Sequence, residues 1–152
     1  MARVAYVAVV GPGRATAQEC EAAEEIGAGL AEIGAVVVTG GLGGVMEAAC
    51  RGARSRRGLT VGILPGDDRD AANGWVEIAL ATGLGELRNG LVVRAADVIV
   101  AIGGGHGTLS EVALGLAEGR AVIGLGGWEV HGIEHVGTAR EALSAVASAL
   151  NE

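Results

Sequence analysis

The sequence contains no lysine; its 11 Lys-plus-Arg residues are all arginines. That excludes a pyridoxal-phosphate enzyme, which needs a lysine Schiff base. It excludes a Walker-type phosphate loop, whose lysine reaches the phosphates. A Schiff-base aldolase and a lysine general base go with them. Phenylalanine is absent too, and aromatics make up 2% of the 152 residues. Platforms that stack bases need more rings than this. The net charge is -7, which argues further against a nucleic-acid partner, because a phosphate backbone calls for a basic surface. The one basic cluster, Arg51, Arg54, Arg56 and Arg57, reads as cations placed at a helix C-terminus.

Long apolar runs are also missing. Hydrophobic residues make up 50% of the chain, yet no uninterrupted stretch reaches the length of a membrane span. The start, Met1–Tyr6, runs straight into a strand pattern and lacks the order of a signal peptide. A soluble, cytoplasmic protein with no membrane partner is expected. Only two cysteines occur, Cys20 and Cys50. Both fall in helical patterns without CxxC spacing, and they read as buried, reduced thiols, with a disulfide or redox pair as the alternative. The length fits one domain, residues 1–152, with a substantial core.

What the chain has instead is glycine, 28 of them, concentrated after apolar runs. Val4–Val10 reads as a strand buried on both faces, and Gly11-Pro12-Gly13 follows. Thr16 and Glu19 stand in capping-box order before a helix that ends at Gly34. Ala35–Thr39 is the second strand, followed by Gly40-Gly41-Leu42-Gly43-Gly44 and a helix from Val45 to about Arg57, closed by Gly58. Leu59–Leu64 is the third strand. Pro65–Gly74 is a polar loop, long enough to serve as a lid or binding loop. Trp75–Leu80 reads as a short strand and Glu86–Ala95 as a helix. Asp97–Ile102 is a strand, and Arg120–Leu125 another. Gly126–Gly137 reads as irregular, and Thr138–Leu150 as a final amphipathic helix. This alternation predicts an α/β fold: a three-layer, doubly wound, mostly parallel, Rossmann-like sheet.

The most informative stretch is Gly103-Gly104-Gly105-His106-Gly107-Thr108-Leu109-Ser110-Glu111. Bare N–H groups at a strand-to-helix turn face an anion readily, and the helix N-terminus adds positive potential. The turns at 11–13, 40–44 and 103–107 are expected to gather at the carboxyl edge of the sheet. Glu111 reads as a carboxylate in the first helical turn. There it stays ionised unless desolvation raises its pKa. An ionised carboxylate suits stabilising an oxocarbenium ion or positioning a water. Arg88 is its natural partner, an always-charged fork for a phosphate or carboxylate.

Other motifs fail on inspection. Gly11-Pro12-Gly13-Arg14-Ala15-Thr16 lacks the third glycine of a dinucleotide fingerprint, and Thr39-Gly40 replaces its ribose-binding acid. His131-Gly132-Ile133-Glu134-His135 matches a zinc-protease pattern by letters but lies in a glycine-flanked irregular segment. No metal site and no resident cofactor are expected. Ser110 lacks the nucleophile elbow of a serine hydrolase. His106 reads either as a base or ligand contact, or as an exposed turn residue. Asp67, Asp68 and Asp70 read as solvated loop charges.

Gly103–Glu111 resembles the P-G-G-x-G-T-x-x-E motif of the Lonely Guy (LOG) proteins, and Gly40–Met46 resembles that family's other glycine-rich turn. Thr82-Gly83-Leu84-Gly85-x-x-Arg88-Asn89, with Arg94-x-Ala96-Asp97, resembles a bacterial branch related to molybdenum cofactor carrier proteins. The resemblance implies a phosphorylated small-molecule ligand and a homo-oligomer, dimer or tetramer. It implies either hydrolysis of the N-glycosidic bond of a nucleoside 5′-monophosphate, or non-catalytic carriage of a phosphorylated cofactor such as molybdenum cofactor. It implies a catalytic pair, Glu111 and Arg88. The expected ligand-binding set is Gly11, Gly13, Gly40, Gly41, Gly43, Gly44, Asn89, Gly103, Gly104, Gly105, His106, Gly107 and Thr108. The chain departs from the LOG pattern at three points. Gly103 replaces the motif proline, Asn89 stands where lysine is usual, and Ser110 replaces a frequent second acid.

Overall fold

A computed structural model describes residues 3–152. Met1 and Ala2, the beginning of the stretch read as leading directly into a strand, lie outside the described residues. The strands are β1 (Tyr6–Val10), β2 (Val36–Thr39), β3 (Thr60–Leu64), β4 (Ile78–Ala81), β5 (Val98–Ile102), β6 (Ala121–Leu125) and β7 (Glu134–Val136). The α-helices are α1 (Ala17–Glu32), α2 (Val45–Ser55), α3 (Asn89–Ala95), α4 (His106–Ala117) and α5 (Ala139–Leu150). The sheet runs β4-β3-β2-β1-β5-β6-β7. Every pairing in it is parallel, so it is parallel throughout rather than mostly so.

The valine- and isoleucine-rich strands are buried on both faces because helices cover both. On β1, Val7 and Val9 pack into a core with residues of α1, α2 and α5. The alternate residues Ala8 and Val10 pack with Val92, Val93 and Val112 of α3 and α4. The chain thus winds β2 and β3 outward on one side of β1, then returns to place β5 on its other side. The register Val7↔Val98 to Val10↔Ala101 marks this switch in strand order. It sets the turns after β1 and β5 side by side at the carboxyl edge, where ligands enter open α/β sheets.

Local chemistry explains most boundaries. Thr16 accepts from the Glu19 amide at 3.1 Å and donates its own amide to Glu19 at 2.9 Å, so the capping box forms and starts α1. The basic cluster ends α2. Arg54 donates to the Gly58 carbonyl at 3.2 Å. Arg51, Arg54 and Arg56 pair with Glu24, Glu77 and Glu32. No helix among the described residues is long and apolar enough to cross a membrane.

Some expected elements move. Arg57, not Gly58, takes the left-handed conformation after α2, with φ +60°. The fourth strand is Ile78–Ala81 rather than Trp75–Leu80, because Trp75 lies in a turn that Asn73 and Thr60 hold. The predicted helix from Glu86 to Ala95 divides into a 3-10 turn, Gly85–Arg88, followed by α3. The segment read as irregular, Gly126–Gly137, contains β7. Glu134 and His135 lie on that strand and His131 in a turn before it, so the H-x-x-E-H letters do not share a helix.

Candidate functional site

Three glycine-rich turns meet over the switch point. Gly11, Pro12 and Gly13 follow β1, Gly40 and Leu42 follow β2, and Gly105, Gly107 and Thr108 follow β5. With Glu86, Arg88, Asn89, Met46 and Glu111 they line one cavity of about 370 Å³. Gly41, Gly43, Gly44, Gly103, Gly104 and His106 do not line it. Gly41 and Gly44 shape the second turn instead, with φ of +80° and +64°. The 65–74 loop buttresses that turn. Asn73 donates from Nδ2 to the carbonyls of Gly41, at 3.3 Å, and Leu42, at 2.8 Å.

The helix behind the signature turn begins at His106, earlier than the sequence suggested. Glu111 therefore lies in the second turn of α4, not the first. Gly105 is the N-cap and has no side chain, so no side-chain oxygen caps the helix. The first amides of α4 have no partner within the helix, and Gly107 and Thr108 stand on the cavity wall.

The polar residues here are unusually buried. Arg88 and Glu111 are each 7% exposed, Asn89 4% and Thr108 3%. Arg88 belongs to none of the ion pairs formed among the described residues. Its Nη1 donates to the Asn89 side-chain oxygen, while its buried Nε has no hydrogen-bond partner among the described residues. Burial without a countercharge is costly for a cation unless something else supplies the charge. Gly40 makes room for this guanidinium. A Cβ there would lie 2.8 Å from Arg88 Nη2 and 2.9 Å from Met46 Sδ.

Burial pushes the Glu111 carboxyl up to about 8; nearby Arg88 opposes the shift and Glu86 adds to it. The shift is toward the neutral carboxyl. The sequence reading is corrected on position, from the first turn to the second, and the desolvation it named as the exception is what raises the carboxyl here. Two of the departures from the LOG pattern face one another: Asn89 Nδ2 donates to Ser110 Oγ at 3.1 Å, and Ser110 donates to the Gly107 carbonyl at 2.7 Å. The usual lysine and the frequent acid are thus replaced together by a neutral hydrogen-bonded pair.

The pattern of the SLOG cluster4 family matches residues 4–150. The chain belongs to that family. An uncharacterised protein of Archaeoglobus fulgidus is 41% identical over 123 residues, 81% of each chain. The molybdenum cofactor binding protein of Rippkaea orientalis is 34% identical with a TM-score of 0.92, over 97% of this chain and 98% of that one. The molybdenum cofactor carrier protein of Chlamydomonas reinhardtii is 31% identical with a TM-score of 0.92, over 99% and 100%. The LOG-like, carrier-like superfamily suggested by the glycine turns and Arg88-Asn89 is therefore the right one.

Within this SLOG cluster4 chain, sequence reasoning passed over several residues of the site. Val9, Val10, Leu42 and Met46 supply apolar wall, and Glu86 a second carboxylate. Glu86 lies two residues before Arg88, which was the available signal. Trp128, outside the cavity, donates its indole N–H to the Gly105 carbonyl at 2.9 Å. Its ring stacks on His106 with centroids 6.1 Å apart, which occupies the histidine away from the cavity. Nothing in its own segment announces that contact.

Proposed function

We propose that this protein binds a phosphorylated small molecule at the switch-point cavity and carries it without turnover. The ligand is of the phosphorylated-cofactor class that includes molybdenum cofactor. The observation that carries this reading is the buried Arg88 guanidinium, its Nε without a partner among the described residues, lining one cavity with Gly105, Gly107 and Thr108 at the N-terminus of α4, which no side chain caps. A phosphate between them gains charge-assisted bonds from Arg88 and free amides from Gly105–Thr108. Gly11, Gly13 and Gly40 let the neighbouring backbone approach, and Asn89 orients Arg88. The Rippkaea and Chlamydomonas proteins support the cofactor class by what they bind or carry.

The hydrolytic reading draws on one observation, that Arg88 and Glu111 line the same cavity. Burial shifts Glu111 toward its neutral form, which weakens it as a partner for a developing ribosyl cation. Mass spectrometry of small molecules retained by the purified protein is expected to find a phosphorylated ligand. Arg88→Ala is expected to weaken binding of that ligand, or of inorganic phosphate, about tenfold or more. Wild-type protein that binds neither refutes the reading. Release of base from a nucleoside 5′-monophosphate, rising as pH passes 8, would establish hydrolysis in its place.

Self-association is also proposed. Large apolar side chains stand exposed near α3 and along β4, among them Ile78, Leu80, Leu84, Leu87 and Leu91. No α-helix links β3 to β4 to cover that side of the sheet edge.

A further inference from the structure

The geometry points to Trp128 as a positioning residue that fixes the α4 N-cap from outside, so that the helix amides stay free for an anion. This inference rests on the anion site proposed above. An N-cap side chain, such as Thr16 of α1 or Thr138 of α5, occupies the amide of the second or third residue of its helix. A helix that must offer those amides to a ligand cannot use that device. In α4 the cap is Gly105, with no side chain and extended backbone, φ 162° and ψ 160°. Its carbonyl oxygen accepts two hydrogen bonds. One comes from the Leu109 amide at 2.9 Å, the first of the helix ladder. The other comes from Trp128 Nε1 at 2.9 Å.

The tryptophan thus holds the acceptor side of the cap and leaves the donor side unoccupied. Its loop is shaped for this. Gly127 has φ +79°, and a Cβ there would run into the Gly103 carbonyl. A Cβ on Gly104 would come within 3.4 Å of Trp128 Nε1, so the loop lies flat on the glycine turn. The indole ring stacks on His106, the first residue of α4, with 29° between the planes. Two contacts from one side chain therefore set both the cap carbonyl and the residue after it. Independently, Arg88, 7% exposed, lines the same cavity, and its buried Nε has no partner among the described residues, so the freed amides are not the only donors at this site.

The test compares wild type with Trp128→Phe, Trp128→His and Trp128→Ala. Inorganic phosphate is titrated against each and followed by phosphorus NMR line broadening, with melting temperature measured alongside. Phenylalanine keeps the stack on His106 and loses the N–H. A histidine ring can return an N–H near the place of the indole nitrogen. Trp128→Phe is expected to raise the phosphate Kd about three- to tenfold, the worth of one net hydrogen bond. Its melting temperature should stay close to that of wild type, and hydrogen exchange at Gly107 and Thr108 should quicken. Trp128→His is expected to recover part of the affinity. Trp128→Ala should bind more weakly than Trp128→Phe. A folded Trp128→Phe with wild-type affinity overturns the inference and leaves the anion site standing. Wild-type protein that binds no phosphate overturns both.

Discussion

Folding shifts Glu111 toward its protonated form. Its carboxyl titrates near 8 in the folded protein against an ordinary value of 4.5, chiefly because it is buried. A raised folded-state pKa gives stability that is complete below the unfolded value and is lost as pH rises through the folded one. The window is therefore about pH 4.5 to 8, and the loss across it is up to about 5 kcal/mol for this group. Urea denaturation at pH 5 and pH 8 should show the fall in wild type and a flatter profile in Glu111→Gln; equal slopes in the two would rule out this source. The pairing of Glu111 with Arg88 in one cavity was legible, because the glycine turn and the Arg88-Asn89 segment each carry a recognisable pattern. The charge state was not. It depends on how deeply the folded chain buries the carboxyl, and such packing has no local sequence signal. The same holds for Asn89 and Ser110. Each reads alone as a departure from a pattern, and only their 3.1 Å contact makes them one exchange.

Among the elements, the signature turn shows what a motif letter means physically. Gly103 has φ +68°, its amide donates to the Leu125 carbonyl at 3.0 Å, and the Glu19 carboxylate of α1 lies over its Cα. Proline, the residue of the LOG motif at this position, has φ near -65° and no N–H. The turn here therefore cannot be the proline-containing form. Gly103→Pro is expected to destabilise the protein by about 3 kcal/mol or more, read as a shift of the urea midpoint; an unshifted midpoint would mean that the turn can adopt the other form. The capping box of α1 was readable because Thr16 and Glu19 are neighbours in sequence. The start of α4 was not, because Gly105-His106-Gly107 has poor helix propensity. Contacts from Trp128, more than twenty positions away, hold it in the helix.

For the whole molecule, strand alternation gave the layers and the edge at which ligands enter. The β7 edge was missed, since three residues of Glu134–Val136 offer little pattern. The exposed apolar side chains near β4 and α3 lead to a prediction at this scale. Leu87, 79% exposed, is far from the core, so Leu87→Glu together with Leu91→Glu should leave the monomer folded. If that surface joins copies of the chain, sedimentation or light scattering will give a smaller mass for the double variant; an unchanged oligomer places the interface elsewhere. The parallel order of the sheet also bears on how the protein is made. Strands β1 to β3 pair with near neighbours in sequence, but β1 must wait for β5, and the contact of Tyr6 with Asp97 spans 91 positions. Closing so long a segment is slow compared with local pairing. On a ribosome, the cavity cannot exist until β5 and α4 have emerged, because its lining runs from Val9 to Glu111. A ligand that occupies it binds only chains in which β1 and β5 have come together, and shifts the population toward them.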